Sequence, residues 1–294
     1  MERAEPYQNG LKENKRAKRD AVIRQVCVHF VILLFLFFVA LPIWFLVIKS
    51  FKSPDQEISS PFSLSFPFFM ENYKLAWLFD KDYILNTVII AIGQTFGVLA
   101  VCSMASYAFI RYNFPFKNVI FIIILSFMMV PGMLTLIPQY QMVMIAFNMK
   151  NSYLGVILPA ITGAVPMGIF LLKTFFSGLP KDLFEAAELD GASKFRQYLT
   201  IALPLSVPIL ATLAITQVLA AWNDLLWPQL ILQDEAMHTI TVGLAPFTES
   251  YYNNYLSLGV PFAGYVIVSI PLLLIFFAAS KQFIRGLTSG AFKM

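Results

Sequence analysis

Six stretches of this chain are too long and too apolar to lie in water, and they fix the solvent in which it folds. They run approximately over Val26–Ile48, Ile84–Ile110, Val119–Gln141, Tyr153–Phe175, Leu205–Leu232 and Val260–Ala279. A hydrocarbon layer of about 30 Å is crossed by about 20 helical residues. Backbone amides find no water there, so each stretch must satisfy its own hydrogen bonds as a helix. The ten-residue alternation of a membrane barrel is absent. Composition agrees: hydrophobic residues make up 58% and charged residues 13%, about half the charge of a soluble domain. Mean hydropathy is +0.70. The fold class expected is an all-α polytopic membrane protein with six transmembrane helices.

The distribution of Lys and Arg orients the spans. With the N-terminus in the cytoplasm, sixteen of the 21 basic residues fall on the inner side, seven of them in the N-terminal tail. Lys49, Lys52, Lys74, Lys81 and Lys150 fall outside. Both termini are then cytoplasmic, with a tail over 1–25, a membrane domain over 26–281 and a second tail over 282–294. The basic tail before the first span looks like the start of a secretory signal. The apolar stretch is too long for one, however, and no small-residue cleavage site follows, so it reads as a retained anchor. The net charge of +4 sits beside apolar segments, not along a polar face, which argues against nucleic-acid binding. Cys27 and Cys102 lie inside apolar runs as buried thiols, and His29 and His238 have no ligand-spaced neighbours for a metal. No nucleotide, zinc-protease or serine-hydrolase signature occurs. Glycines and prolines inside the spans, among them Gly93, Gly97, Pro131, Pro159 and Pro208, are expected as kinks and close contacts.

The inner segment between the fourth and fifth spans is polar and organised. It reads SGLPKDLFEAAELDGASKFRQYLTIALP. Pro180 suits a helix start, and Asp182 and Glu185 follow in the first turn, where the helix dipole favours acids. Leu183, Phe184, Ala186 and Ala187 fall on one arc of the wheel and the acids on the other. Gly191 ends the helix, and Ser193 caps a second one. Two short helices joined at a glycine elbow are expected over 180–203. Such a surface suits either docking into another protein or lying on the membrane.

One pattern decides between them. Glu185-Ala186-Ala187, then Gly191, Ile201 and Leu203-Pro204 at fixed gaps, resembles the EAA loop of carbohydrate-type ABC-importer permeases. The likeness extends through LNTVIIAIGQTFGVLAVCSMASYAFIRYNFPFKN, VPGMLTLIPQYQMV, NSYLGVILPAI, WNDLLWP and the tail RGLTSGAFKM. These are similar to the subgroup that includes the smaller permease of the maltose importer. Gln94 and the tyrosine-rich segment FTESYYNNYLSLG depart from it. The resemblance implies a type I permease fold and a non-catalytic subunit of a sugar importer in the bacterial cell membrane. It implies a second permease as heterodimer partner, two cytoplasmic ATPase subunits that bind ATP and magnesium, and an extracellular solute-binding protein. No cofactor is implied on this chain.

The same resemblance assigns Glu185, Ala186, Ala187 and Gly191 to the ATPase contact. The fifth span contains Trp222, Asn223 and Asp224, and an acid such as Asp224 is costly in lipid and faces a cavity or a partner. Asp224 is expected in the outer third of that helix. These residues either line the sugar path, with Trp222 or Trp227 stacking on a ring, or pack and anchor the helix. Gln217, Asn86 and Gln94 follow the same logic. In the last outer loop, Gln233–Gly259, Tyr251, Tyr252 and Tyr255 form either a binding-protein contact or an aromatic belt. A secondary transporter or channel would call for inverted repeats and ionisable residues deep in several spans. An intramembrane enzyme would call for converging nucleophile, base or metal ligands; neither pattern is evident.

Overall fold

A computed structural model describes residues 5–255 and 257–291, and the side chains over 21–252 and 257–278. In chain order the helices are α1 (Glu5–Ser50), α2 (Pro54–Ser59), α3 (Glu71–Arg111), α4 (Lys117–Ser126), α5 (Gly132–Gln141), α6 (Tyr153–Ser177) and α7 (Lys181–Leu189). There follow α8 (Lys194–Gln197), α9 (Leu203–Leu205), α10 (Val207–Asn223), α11 (Leu226–Ile231), α12 (Ile240–Tyr255) and α13 (Gly259–Ala291). Among the described residues four unbroken helices are long and apolar enough to cross a membrane, and two bent pairs bring the number to six if each pair is one span. The tail boundaries expected at 25 and 281 fall inside continuous helices, since α1 begins at Glu5 and α13 runs to Ala291.

The two bent pairs are sharper than kinks. The third span turns by 98° between Met129 and Gly132. Pro131 forces Val130 out of the helical region (φ −80°, ψ 117°) and then opens α5 as its N-cap, as the residue before a proline commonly does. The fifth span turns by 76° at Ser206, between Pro204 and Pro208. A second difference lies further along: α10 stops at Asn223, short of the expected Leu232. Asp224 is extended (ψ 117°) and its carboxylate accepts from the Trp227 amide at 3.4 Å. Asp224 therefore caps a helix end and does not sit within a helix. A side chain that bonds its own neighbouring backbone offers the chain an alternative to helix.

The core lies among α3, α6, α10 and α13. α3 and α6 approach closely because Gly93 and Gly97, one turn apart, face isoleucines. A Cβ on Gly93 would stand 2.8 Å from Ile157 Cδ1, and one on Gly97 would overlap Ile161. Small residues at this spacing let membrane helices pack without a hydrophobic driving force. α1 is the opposite case. Every side chain from 21 to 40 is exposed, and the helix touches the rest mainly along α13. Where α2 meets the start of α13, Glu57 accepts from the Leu258 amide at 2.9 Å and the Ser257 hydroxyl at 3.3 Å, capping α13. Asn72 Nδ2 donates to the carbonyls of Ser50 (2.9 Å) and Lys52 (2.8 Å). These bonds tie the C-terminal end of α1 to the N-terminal ends of α3 and α13.

Candidate functional site

The elbow between α6 and α10 is built from local signals. Pro180 is the N-cap of α7 and Asp182 lies in its first turn. Gly191 has φ +76°, a left-handed conformation that L side chains reach only at a cost. The amide of Gly191 donates to the Glu188 carbonyl (3.1 Å) and that of Ala192 to the Ala187 carbonyl (2.9 Å). This is the paired closure of a Schellman motif. The Ser193 hydroxyl then accepts from the Arg196 amide at 3.3 Å and starts α8.

The faces of α7 divide differently from the arc expected. Phe184 turns inward, 4% exposed, into a cluster with Tyr107, Phe176, Tyr198 and Ala202. Glu185, Ala186, Leu183 and Leu189 are exposed, Leu189 at 90%, and Ala187 is half-buried. Phe184 thus anchors the helix, and the small and apolar residues around Ala186 remain outside. No local pattern points to the socket that receives Phe184: Tyr107 and Arg111, one turn apart at the C-terminal end of α3, and Tyr198, whose hydroxyl lies 2.7 Å from that of Ser103.

A second site is an open depression of about 310 Å³ beside the C-terminal end of α10. Trp222, Asn223, Thr241, Tyr265 and Ser269 line it, together with aliphatic side chains. Trp222 is buried and Asn223 exposed, with Asn223 Nδ2 donating to the Leu219 carbonyl at 2.8 Å. Aromatic faces beside hydroxyl and amide groups are the usual chemistry of a small-molecule pocket. Thr241, Tyr265 and Ser269 come from the following segment and from α13, so no local pattern around Trp222 points to them.

The other expected path residues are engaged elsewhere. Trp227 is buried in the core and its Nε1 donates to the Gly155 carbonyl at 3.1 Å. In a regular helix that carbonyl would accept from residue 159, which is Pro159 and has no N–H. Trp227 supplies the missing donor, so its ring is a packing element away from the depression. Asn86, 5% exposed, donates both amide hydrogens to the carbonyls of Ala236 (2.8 Å) and His238 (3.0 Å) and accepts from Tyr153 Oη (2.7 Å). It is a clamp between helices and not part of an open lining. Gln217 Oε1 accepts from Gln94 Nε2 at 3.1 Å, joining α10 to α3.

The segment expected as the last outer loop is no loop: it holds the 16-residue α12. Tyr251 is half-buried and its ring lies 5.8 Å from that of Phe247, while Tyr252 is exposed. The side chain of Tyr255 lies outside the described residues. Of the thiols, Cys102 is buried as expected and Cys27 is exposed. Among the described residues no three of His, Cys, Asp and Glu converge as metal ligands.

Up to six helical segments able to cross a membrane, two of them sharply broken, with a bent helical protrusion at 181–203, are the architecture of a polytopic membrane protein. The model of the family described as binding-protein-dependent transport system inner membrane component matches residues 95–289. The chain belongs to this family, and it is a non-catalytic, multi-pass permease subunit of an ABC importer. Over 88% of its length it is 34% identical to the arabinooligosaccharides transport system permease protein AraQ of Halalkalibacterium halodurans, covering 93% of that protein. It is 31% identical to the diacetylchitobiose uptake system permease protein NgcG of Streptomyces coelicolor, over 90% of this chain and 88% of NgcG. The trehalose/maltose transport system permease protein MalG of Thermococcus litoralis is 30% identical, over 94% of this chain and 99% of MalG. Among solved structures, a bacterial ABC transporter involved in the import of the acidic polysaccharide alginate superposes with a TM-score of 0.78. It covers 90% of this chain and 98% of its own at 19% identity, a likeness of fold.

Proposed function

We propose that this chain forms one half of the membrane pathway for a di- or oligosaccharide, and that a cytoplasmic ATPase works it through the elbow at 181–203. The observation that carries this is the elbow itself: a helix pinned from within by Phe184, closed at Gly191 in the left-handed conformation, with Ala186 and Leu189 left bare on its outer face. A bare apolar face on a well-capped, anchored helix suits a groove in another protein. The names of the relatives, which include transporters of arabino-oligosaccharides, diacetylchitobiose and maltose, support a sugar as cargo.

In this scheme both termini are cytoplasmic. A different permease completes a heterodimer, two ATPase subunits bind the ATP and magnesium, and a solute-binding protein delivers sugar outside. ATP binding closes the ATPase pair and shifts the permeases between inward-open and outward-open states, a two-state element biased from a distant site. Glu185, Ala186 and Ala187 form the ATPase contact, with Gly191 as its hinge. Trp222 and Asn223 lie on the sugar path, and Tyr251, Tyr252 and Tyr255 lie toward the binding protein. Asp224 stands beside this path as a helix-end cap.

Reconstitution tests this. Proteoliposomes holding this chain, its partner permease and the ATPase should take up radiolabelled arabino- or malto-oligosaccharide only with ATP inside and the binding protein outside. Uptake by this chain alone, without ATP, would point instead to a self-sufficient transporter.

A further inference from the structure

The elbow and the outer surface are joined by one helix. α3 has 41 residues, about 60 Å at the helical rise. Of the four unbroken membrane-crossing helices, α1, α6 and α13 contain proline and α3 contains none. Nothing in α3 invites a bend of the kind proline causes.

Its inner end is gripped by both arms of the elbow. The Arg111 guanidinium lies over the Phe184 ring, 4.2 Å from its centroid, which holds α7. The same group donates to Gln197 Oε1 at 3.4 Å, which holds α8. Gln197 is buried, and its amide reaches back across the elbow to the Ala192 carbonyl at 3.0 Å. Lys194 Nζ donates to the Arg111 carbonyl (3.3 Å), and Tyr107 Oη donates to the Lys194 carbonyl (2.9 Å). Two of these bonds use the carbonyls of Arg111 and Lys194, so they survive changes of side chain at 111. The Arg111 side chain reaches α7 and α8 together, as does that of Tyr107, whose ring lies 6.5 Å from that of Phe184.

The outer half of α3 is attached with equal density to the segment that leads into α12. Tyr83 Oη donates to Glu235 at 3.2 Å, Asn86 holds the Ala236 and His238 carbonyls, and Thr87 Oγ1 accepts from the Ile240 amide at 2.9 Å. We infer that Arg111 is a positioning residue that locks the elbow to α3, so that α3 carries elbow motion as a rigid rod to residues 235–240 on the far side. Planar stacking together with a forked donor is a combination that arginine supplies and lysine does not. This inference rests on the ATPase-driven role proposed above.

Spin labels test it in the reconstituted complex. Cys27 and Cys102 are first replaced by serine and alanine, and labels are placed by Asn113→Cys just past the end of α3 and Thr200→Cys in the second arm of the elbow, both at exposed positions. Between nucleotide-free and ATP-bound complex, this distance should stay within about 2 Å, the size of an ordinary helix shift. With Arg111→Met added, the ATPase should still co-purify, because the bare face of α7 is untouched, while the distance distribution should broaden or shift on ATP binding. Uptake per ATP hydrolysed should fall by about fivefold or more, the low end of coupling between distant sites. A wild-type distance that changes by about 5 Å, one helical turn, overturns the rigid rod, and that measurement needs no variant at 111. An Arg111→Met complex that keeps both the constant distance and the wild-type uptake per ATP overturns the role of Arg111. A wild-type complex that holds no ATPase defeats the importer mechanism itself, a result distinct from either of these.

Discussion

Replacing Gly191 with valine isolates the backbone conformation of the elbow from its packing. A Cβ at this position meets no atom within 4 Å, so the first added carbon brings no clash. Its whole effect comes from φ +76°. A left-handed residue with a side chain costs about 1–2 kcal/mol, and a β-branched one belongs at the upper end or beyond. The alternative is to unwind the turn and lose the two closing bonds from Gly191 and Ala192, each worth about 1 kcal/mol. Either route destabilises the elbow by about 2 kcal/mol, a shift of roughly 30-fold in its closed population. Hydrogen exchange at the Ala192 amide reads that population directly, and its protection should fall by about the same factor. Gly191→Asn is the control, since asparagine visits this region readily; it should retain most of the protection. Uptake should follow the same order, glycine above asparagine above valine. Equal protection in Gly191→Val and the wild type would refute the reasoning. So would Gly191→Asn failing as badly as Gly191→Val, because the two differ mainly in tolerance of that φ.

Other residues carry their own tests. Asn86→Ala removes three hydrogen bonds at a buried site and should lower stability in detergent by about 2–4 kcal/mol, read as a fall in the unfolding midpoint. Trp227→Phe leaves the Gly155 carbonyl without its donor and should cost about 1–3 kcal/mol with the apparent affinity for sugar unchanged. Trp222→Ala should do the reverse, raising the half-saturating sugar concentration in uptake assays more than it lowers stability. Gly97→Leu drives a side chain into Ile161 and should cost about 1–3 kcal/mol, with Ile161→Ala restoring part of the loss in a thermal-unfolding comparison.

The elbow was legible because its signals are local. Pro180, Gly191 and Ser193 each act on the backbone within a few residues, and each does what its chemistry dictates. The spans were legible as lengths of apolar chain but not as shapes. Hydropathy carries no angle, so Pro131 and Pro208 read as kinks when they flank turns of 98° and 76°. α3 extends back to Glu71, beyond its apolar stretch, and Lys74, Asp80, Lys81 and Asp82 hide that part of the helix from any hydropathy measure. α12, rich in Thr, Ser, Tyr and Asn, reads as loop for the same reason. Polar residues were the least legible. Asn86 and Trp227 draw their meaning from carbonyls about 70 to 150 residues away, and the need created by Pro159 is visible in sequence while the residue that meets it is not. A polar group in lipid announces that it has a partner without saying whether the partner is sugar or backbone.

A photo-crosslinking residue placed at Ala186 in living cells offers the most direct measurement. If the bent protrusion is the handle by which a separate motor moves this subunit, the adduct is the cytoplasmic ATPase, and a membrane-impermeant thiol reagent added outside leaves Ala186→Cys unlabelled. Labelling from outside, or irradiation that never captures the ATPase, would contradict it.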